Sequence, residues 1–302
     1  MKILVTGAAG QIGFPLAAHL AADHDVWGVA RFSDPQDKAR LESAGVRTHA
    51  VDIASGRFDG LPDDFTHVIH LAADMGDDYE HALRVNAEGT GLLLHHCRNA
   101  RAALVMSTHS VYKPQDDPDH VFHESDPLGD SFATHAPTYS ISKIAEEAVA
   151  RACARIFDLP VTIARMNASF GSNGGLAAYH LDAVLSGTPI TTRWDPYQYS
   201  LIHQDDINTQ ALALLEAATV PATIVNWCGD EPASVQEYVA YAAELAGVAA
   251  PPIDVVADPN TLRGSIASNE RRLAITGPCR VGWRDGIRAT LEARRALLSS
   301  QS

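Results

Sequence analysis

Lys2-Ile3-Leu4-Val5-Thr6-Gly7-Ala8-Ala9-Gly10-Gln11-Ile12-Gly13 is the stretch that decides the fold. Its apolar run, Ile3-Leu4-Val5, reads as a strand buried on both faces, as parallel strands covered by helices are. The glycines that follow suit a tight turn, a close approach of backbone to phosphate, and tight packing of the helix that begins near Gln11. The unpaired N–H groups at that helix start favour an anion, so the segment points to a dinucleotide pyrophosphate. The spacing is GxxGxxG rather than GxGxxG. No Gly-Lys-Ser/Thr follows, so a Walker loop is excluded.

Outward from this segment, strand and helix patterns alternate, which is the signature of a doubly wound α/β sheet. Strands are expected at Lys2–Thr6, Asp25–Ala30, Val46–Val51, His67–Leu71, Ala103–Met106 and Val161–Ala164. Helices are expected near Gln11–Ala22, Pro35–Ala44, Tyr79–Arg98 and Thr138–Phe157. After Arg165 the alternation loosens, and Ile224-Val225-Asn226 reads as a strand returning to the main sheet. The expected organisation is therefore a Rossmann-like dinucleotide domain over 1–165, completed by 203–228, with 166–302 mostly a smaller substrate domain. His109 to Pro137, rich in Pro, Asp and His, is too long and polar for a plain connector and reads as a lid.

Composition narrows the class. The chain has 302 residues, 46% hydrophobic and 20% charged, as expected of a soluble globular protein. A net charge of -14 without a run of Lys or Arg argues against nucleic acid or an anionic membrane surface as partner. No apolar stretch approaches membrane-spanning length. Cys97, Cys153, Cys228 and Cys279 are scattered without a CxxC pair, which reads as reduced thiols in a cytoplasmic protein. The histidines at 109, 120, 123 and 135 fit no familiar zinc spacing, and no metal is expected.

A second motif lies about 130 residues downstream, read by the same spacing logic. Tyr139-Ser140-Ile141-Ser142-Lys143 sets a phenol and an ammonium one helical turn apart on one face. A neighbouring cation favours phenolate, so Tyr139 is expected to exchange its proton near neutral pH. Ser107-Thr108 ends a preceding strand, at the edge where ligands bind in such sheets, and its hydroxyl can hold a carbonyl oxygen. At the end of the second strand, Ala30 takes the position where an NAD site offers a carboxylate, and Arg31 follows. A guanidinium there favours the extra phosphate of NADP, with Ser33 adding a donor; NAD is the alternative. Asp52-Ile53, after the third strand, falls where the adenine edge is read.

Together these stretches resemble the extended short-chain dehydrogenase/reductase family, which includes nucleotide-sugar epimerases and dehydratases. The likeness runs through Gly7–Gly13, Asp52-Ile53, His70-Leu71-Ala72-Ala73, Asn86 within Val85–Thr90, Ser107–Tyr112, Tyr139–Lys143, Arg165–Gly171, Leu201–Ile207 and Asn226–Gly229. The resemblance implies Tyr139 as acid/base, with Lys143 lowering its pKa and binding the nicotinamide ribose. It implies Thr108 as the substrate-binding hydroxyl beside Ser107, Asn86 as a brace, and Leu71, Ala72 and Ala73 lining the cofactor with Gly7, Gly10, Gln11, Ile12 and Gly13. Asn167 is where it implies substrate contact, and a homodimer formed through a helix bundle is the family's habit.

Departures bear on the substrate. Sugar-nucleotide enzymes of the family commonly carry an arginine four residues before the His of the His-x-Asp-Asp stretch; here that position is Tyr199, with Arg193 displaced. Arg263 resembles the family's late phosphate-binding arginine. The Asp-Glu pair of the dehydratase branch is replaced by His109-Ser110, which argues against dehydration. The leading expectation is an NAD(P)-dependent oxidoreductase acting at a secondary alcohol or ketone carbon of a sugar-like or other small substrate, with Tyr139 as acid/base. The alternatives are a nucleotide-sugar epimerase using the cofactor in a transient redox cycle, and a catalytically silent cofactor-binding sensor.

Overall fold

Seven strands form the central sheet: Lys2–Thr6 (β1), Asp25–Ala30 (β2), Arg47–Ala50 (β3), His67–His70 (β4), Ala102–Thr108 (β5), Val161–Met166 (β6) and Thr223–Trp227 (β7). The computed structural model describes residues 1–300, with side chains to Leu297. Strand order is β3-β2-β1-β4-β5-β6-β7, and the pairs among β1 to β5 are parallel. This is the doubly wound, Rossmann-like α/β arrangement, whose order reverses beside β1. Register sets Thr6 opposite both Val29 and His70, and His70 opposite Val105, so the carboxyl ends of these strands share one edge.

The helices of this sheet are Gly13–Ala21 (α1), Pro35–Ser43 (α2), Tyr79–Leu83 (α3), Gly89–His96 (α4) and Tyr139–Phe157 (α5). Ile3, Leu4 and Val5 are completely buried, as a strand covered on both faces requires. Leu4, Val68, Val105 and Ile163 from the strands pack with Leu93 and Leu94 of α4 and Ala150 and Ala154 of α5. The α5 sequence is alanine-rich without Gly or Pro, and it stops at Asp158, whose φ of 51° is left-handed. The expected single helix over Tyr79–Arg98 is interrupted by a π-helical turn, Arg84–Glu88. Strand β5 runs on to Thr108, drawing Ser107-Thr108 into the sheet.

The chain divides into two compact units. The first comprises Met1–Val111, Phe132–Arg165 and Asn208–Val225; the second comprises Tyr112–Ser131, Met166–Ile207 and Asn226–Ser302. The second has its own core, in which Phe170, Leu181, Tyr238 and Ile287 are buried together. Val121–Phe122, within the segment read as a lid, pairs there with Ile266–Ala267, so part of that segment is ordered strand. Among the described residues no helix is long and apolar enough to cross a membrane, and no cluster of three or more His, Cys, Asp or Glu side chains could hold a metal ion.

Candidate active site

The turn after β1 is shaped by glycine. Gly7 sits at φ +63°, and a Cβ there would lie 2.9 Å from the Ala72 backbone nitrogen. A Cβ on Gly13 would fall 2.1 Å from the Gly7 carbonyl oxygen, so the start of α1 packs directly on the loop. The Gly10 N–H donates to the Gly7 carbonyl at 2.9 Å, closing the turn. Beside it opens a cleft of about 230 Å³ lined by Gly7, Gly10, Ala30, Arg31, Asp52, Ile53, Leu71, Ala72 and Ala73. Bare backbone on one side and small side chains on the other fit a nicotinamide dinucleotide, with its pyrophosphate at the start of α1.

A directional chain of hydrogen bonds holds the far wall. The Thr6 hydroxyl accepts from the Leu71 and Ala72 N–H groups at 3.1 and 3.2 Å and lies 2.6 Å from His70 Nδ1. The Thr90 hydroxyl donates to the Asn86 carbonyl at 2.6 Å and lies 2.8 Å from His70 Nε2. With the Thr90 proton so used, His70 Nε2–H must donate to Thr90, and Nδ1 must accept from Thr6. The ring is neutral: burial, reinforced by the Lys143 charge, pushes its pKa down to about 3.

Helix α5 carries the second group. The Tyr139 phenol is hydrogen-bonded to the Thr108 hydroxyl, which also lies 2.9 Å from Ser110 Oγ. Lys143, 1% exposed, donates from Nζ to the Met106 carbonyl at 2.7 Å and forms an ion pair with Glu146. Asn86, in the π-helical turn, clasps Asp74 through both backbone groups, at 2.7 and 2.9 Å, and donates to Ser142 Oγ at 2.8 Å. Ser107 donates to Glu147 Oε1 at 2.7 Å, and Arg165 grips the same carboxylate with two bonds of 2.8 Å. Strands β5 and β6 are thus tied to α5 beneath the reacting edge.

The NAD dependent epimerase/dehydratase family matches residues 3–227. The chain belongs to that family. It is accordingly an enzyme of the extended short-chain dehydrogenase/reductase type, and its cofactor is a nicotinamide dinucleotide. UDP-glucuronate 4-epimerase 3 of Arabidopsis thaliana is 31% identical over 196 residues, covering 57% of this chain and 43% of that protein. An uncharacterized 37.6 kDa protein in the cld 5'region of Escherichia coli O111:H- is 29% identical over 275 residues, covering 80% and 77%. Among solved structures, MoeE5 in complex with UDP-glucose and NAD is 25% identical with a TM-score of 0.83, covering 99% of this chain and 100% of that one. UDP-glucuronic acid 4-epimerase from Bacillus cereus, in complex with UDP-glucuronic acid and NAD, superposes with a TM-score of 0.85 at 23% identity, covering 98% and 100%.

Within this family member, the residues expected from sequence fall into four groups. Gly7, Gly10, Arg31, Asp52, Ile53, Leu71, Ala72 and Ala73 line the cleft, as do Asp74 and His81, which the sequence reading did not single out. Their signal was weak, since Asp74 follows the His70–Ala73 stretch in a loop without periodicity and His81 is one polar side chain of the short helix α3. Ser33 is exposed and outside the lining residues; the half-buried Gln11 and Ile12 and the buried Gly13 also lie outside them, and their part is to shape the turn. Tyr139, Lys143, Thr108, Ser107 and Asn86 converge in the first unit. Asn167, Tyr199 and Arg263 lie in the second. The Asn167 amide donates to the Ser265 carbonyl at 2.8 Å, the Tyr199 ring sits 4.7 Å from Tyr197, and the Arg263 guanidinium lies 4.9 Å over Trp194.

One expectation is corrected. Lys143 does favour the Tyr139 phenolate, but desolvation is the larger effect and raises the phenol above its ordinary value. Part of the reason is that the Lys143 charge is opposed by Glu146, which itself raises the phenol.

Proposed function

We propose that this chain is an epimerase that inverts a secondary alcohol carbon of a nucleotide-diphosphate sugar. The observation that carries the reading is the Tyr139 phenol, hydrogen-bonded to Thr108 with Lys143 one turn below, in a family member that aligns with UDP-glucuronate 4-epimerases. When bound, the nicotinamide supplies the acceptor and then the donor of hydride. Tyr139 takes the hydroxyl proton as the carbon is oxidised and returns it on reduction. Thr108 holds the substrate oxygen beside the phenol. Gly7, Gly10 and the start of α1 hold the pyrophosphate, and Lys143 holds the nicotinamide ribose. Asn86 keeps the loop at Asp74 and helix α5 in register.

The reading assigns cofactor binding to 1–165 with 203–228, and substrate recognition mostly to 166–302. There Asn167 and Arg263 are the polar candidates for the sugar nucleotide, and Tyr199 stands in for one arginine. Leu92 of α4 and Ile156 of α5, 44% and 71% exposed, support a homodimer through these helices. Buried free thiols at Cys97, Cys153 and Cys228 fit a reducing, cytoplasmic setting.

Arg31 favours a second reading, an NADP-linked dehydrogenase or reductase, because a guanidinium in the cleft wall suits a 2′-phosphate. The test is to release and identify any nucleotide carried through purification, then incubate the protein with UDP-glucuronate and UDP-glucose and follow the C4 epimers by NMR. Epimer formation without net nicotinamide turnover is expected. Stoichiometric NADPH consumption on a ketone, with no epimer formed from either sugar nucleotide, would replace the epimerase reading by the second.

A further inference from the structure

Beneath Tyr139 and Lys143 lies a carboxylate that the proposed chemistry does not call for. Glu146 is completely buried in the first unit, with no exposed surface. One of its oxygens pairs with the Lys143 ammonium. The other lies 3.4 Å from the Thr90 hydroxyl of α4 and 3.7 Å from His70 Nε2 of β4. Among the described residues, Lys143 is the one cation facing it. His70 is neutral and already committed between Thr6 and Thr90. Glu147, next on α5, is neutralised by Arg165 from β6. Tyr139 lies two turns up the same helix. A carboxyl in this position is matched to Lys143 alone.

The geometry fixes what the pairing does. An ammonium has three N–H donors. The Met106 carbonyl takes one and Glu146 a second, which leaves a third for a ribose hydroxyl. The same carboxylate, when ionised, cancels much of the positive field that Lys143 exerts on the phenol; when protonated, it releases that field.

We infer that Glu146 is a positioning residue that locks the Lys143 ammonium in place and, through its own protonation, sets how strongly Lys143 favours the Tyr139 phenolate. The inference rests on the role proposed above for Tyr139 and Lys143, but its test does not depend on turnover. Burial, the largest influence, pushes the Glu146 carboxyl up to about 7, against the pull of Lys143, so the switch falls within the working pH range.

The chain has only four lysines, Lys2, Lys38, Lys113 and Lys143. Lysine labelled at Cε with ¹³C in the full-length protein therefore gives four resolvable signals, and arginine substitutions at 2, 38 and 113 identify the signal of Lys143 by elimination. The wild-type Lys143 signal is expected to move with a midpoint near pH 7, and the step is expected to vanish in Glu146→Gln. A Lys143 signal that stays flat from pH 5.5 to 9 in the wild type would overturn the inference even if the variant failed to fold. A step unchanged in Glu146→Gln would overturn it as well. A ¹³Cζ-tyrosine signal assigned by Tyr139→Phe adds a second readout. Glu146→Gln is expected to lower the Tyr139 midpoint by about one pH unit, the lower end of what a nearby charge does. An unmoved or raised midpoint would leave Glu146 a merely structural contact and sink the electrostatic role. Loss of epimerase activity in the wild type would condemn the proposed function without touching these titrations.

Discussion

Glu147→Gln is the most direct probe of how the active-site edge is built. The substitution keeps the side chain's shape and removes its charge. Arg165, 2% exposed, then loses its carboxylate partner while remaining buried, and an amide N–H must face its guanidinium. Breaking one partner of such a buried pair costs about 3–5 kcal/mol. For a unit of this size each kcal/mol lowers Tm by about 2–4 °C, so a fall of roughly 6–20 °C is expected. Thermal unfolding followed by circular dichroism measures it, with urea unfolding to check that the m-value is unchanged. The double variant Glu147→Leu with Arg165→Met should recover most of the loss, because replacing both partners by apolar groups is often close to neutral. Ser107 must then share the single remaining amide oxygen with Arg165 or face an amide N–H, so activity should fall in Glu147→Gln even where the protein remains folded. A Tm change smaller than about 2 °C would refute the reasoning, since it would mean that Arg165 finds water or another acceptor on losing Glu147.

Three further outcomes are expected. Tyr139→Phe should lower turnover by about 10²–10⁴, the usual worth of a general acid/base, while cofactor retention stays within twofold; retained turnover would exclude Tyr139 from the chemistry. Gly13→Ala, whose new Cβ would meet the Gly7 carbonyl at 2.1 Å, should cost about 1–3 kcal/mol and strip the bound nucleotide during purification, as absorbance of the purified protein at 260 nm would reveal. The third concerns acid stability. His70, held at about 3 when folded against 6.5 when exposed, makes the first unit lose stability as pH falls below 6.5. Glu146, held at about 7 against 4.5, gains stability over the same fall and offsets it. Glu146→Gln removes the offset, so stability should drop more steeply than in the wild type between pH 6.5 and 4.5, by about 1.4 kcal/mol per pH unit. Parallel wild-type and variant curves from urea melts would contradict this.

The sequence exposes its fold because local and global signals agree. The buried run at Ile3–Val5, the glycine turn and the alanine-rich α5 each state one structure, and Tyr139 and Lys143 fall on one face by helical spacing alone. Other features depend on packing that no local pattern encodes. Glu146 reads in sequence as one of two acidic residues on an amphipathic helix, and only the fold reveals that both are buried, one against Lys143 and one against Arg165. For the same reason the phenol's upward shift was missed: spacing displays the cation but not the desolvation that outweighs it. The strand at Val121–Phe122 is two residues long in a polar stretch, and its partner lies more than a hundred residues away. The interruption at Arg84–Glu88 leaves no mark in composition, because Val85, Asn86 and Ala87 suit a regular helix as well.

That interruption has a consequence for how the chain tolerates change. A π-helical turn amounts to one surplus residue inside an otherwise regular helix. The segments on either side, Tyr79–Leu83 and Gly89–His96, could join without it and keep their own packing, including the burial of Leu93 and Leu94. The surplus is where Asn86 takes hold of Asp74 and Ser142. Helix and active site were therefore free to be edited separately at this point. A chain shortened here by one residue would be a more regular protein, with its reacting edge unfastened.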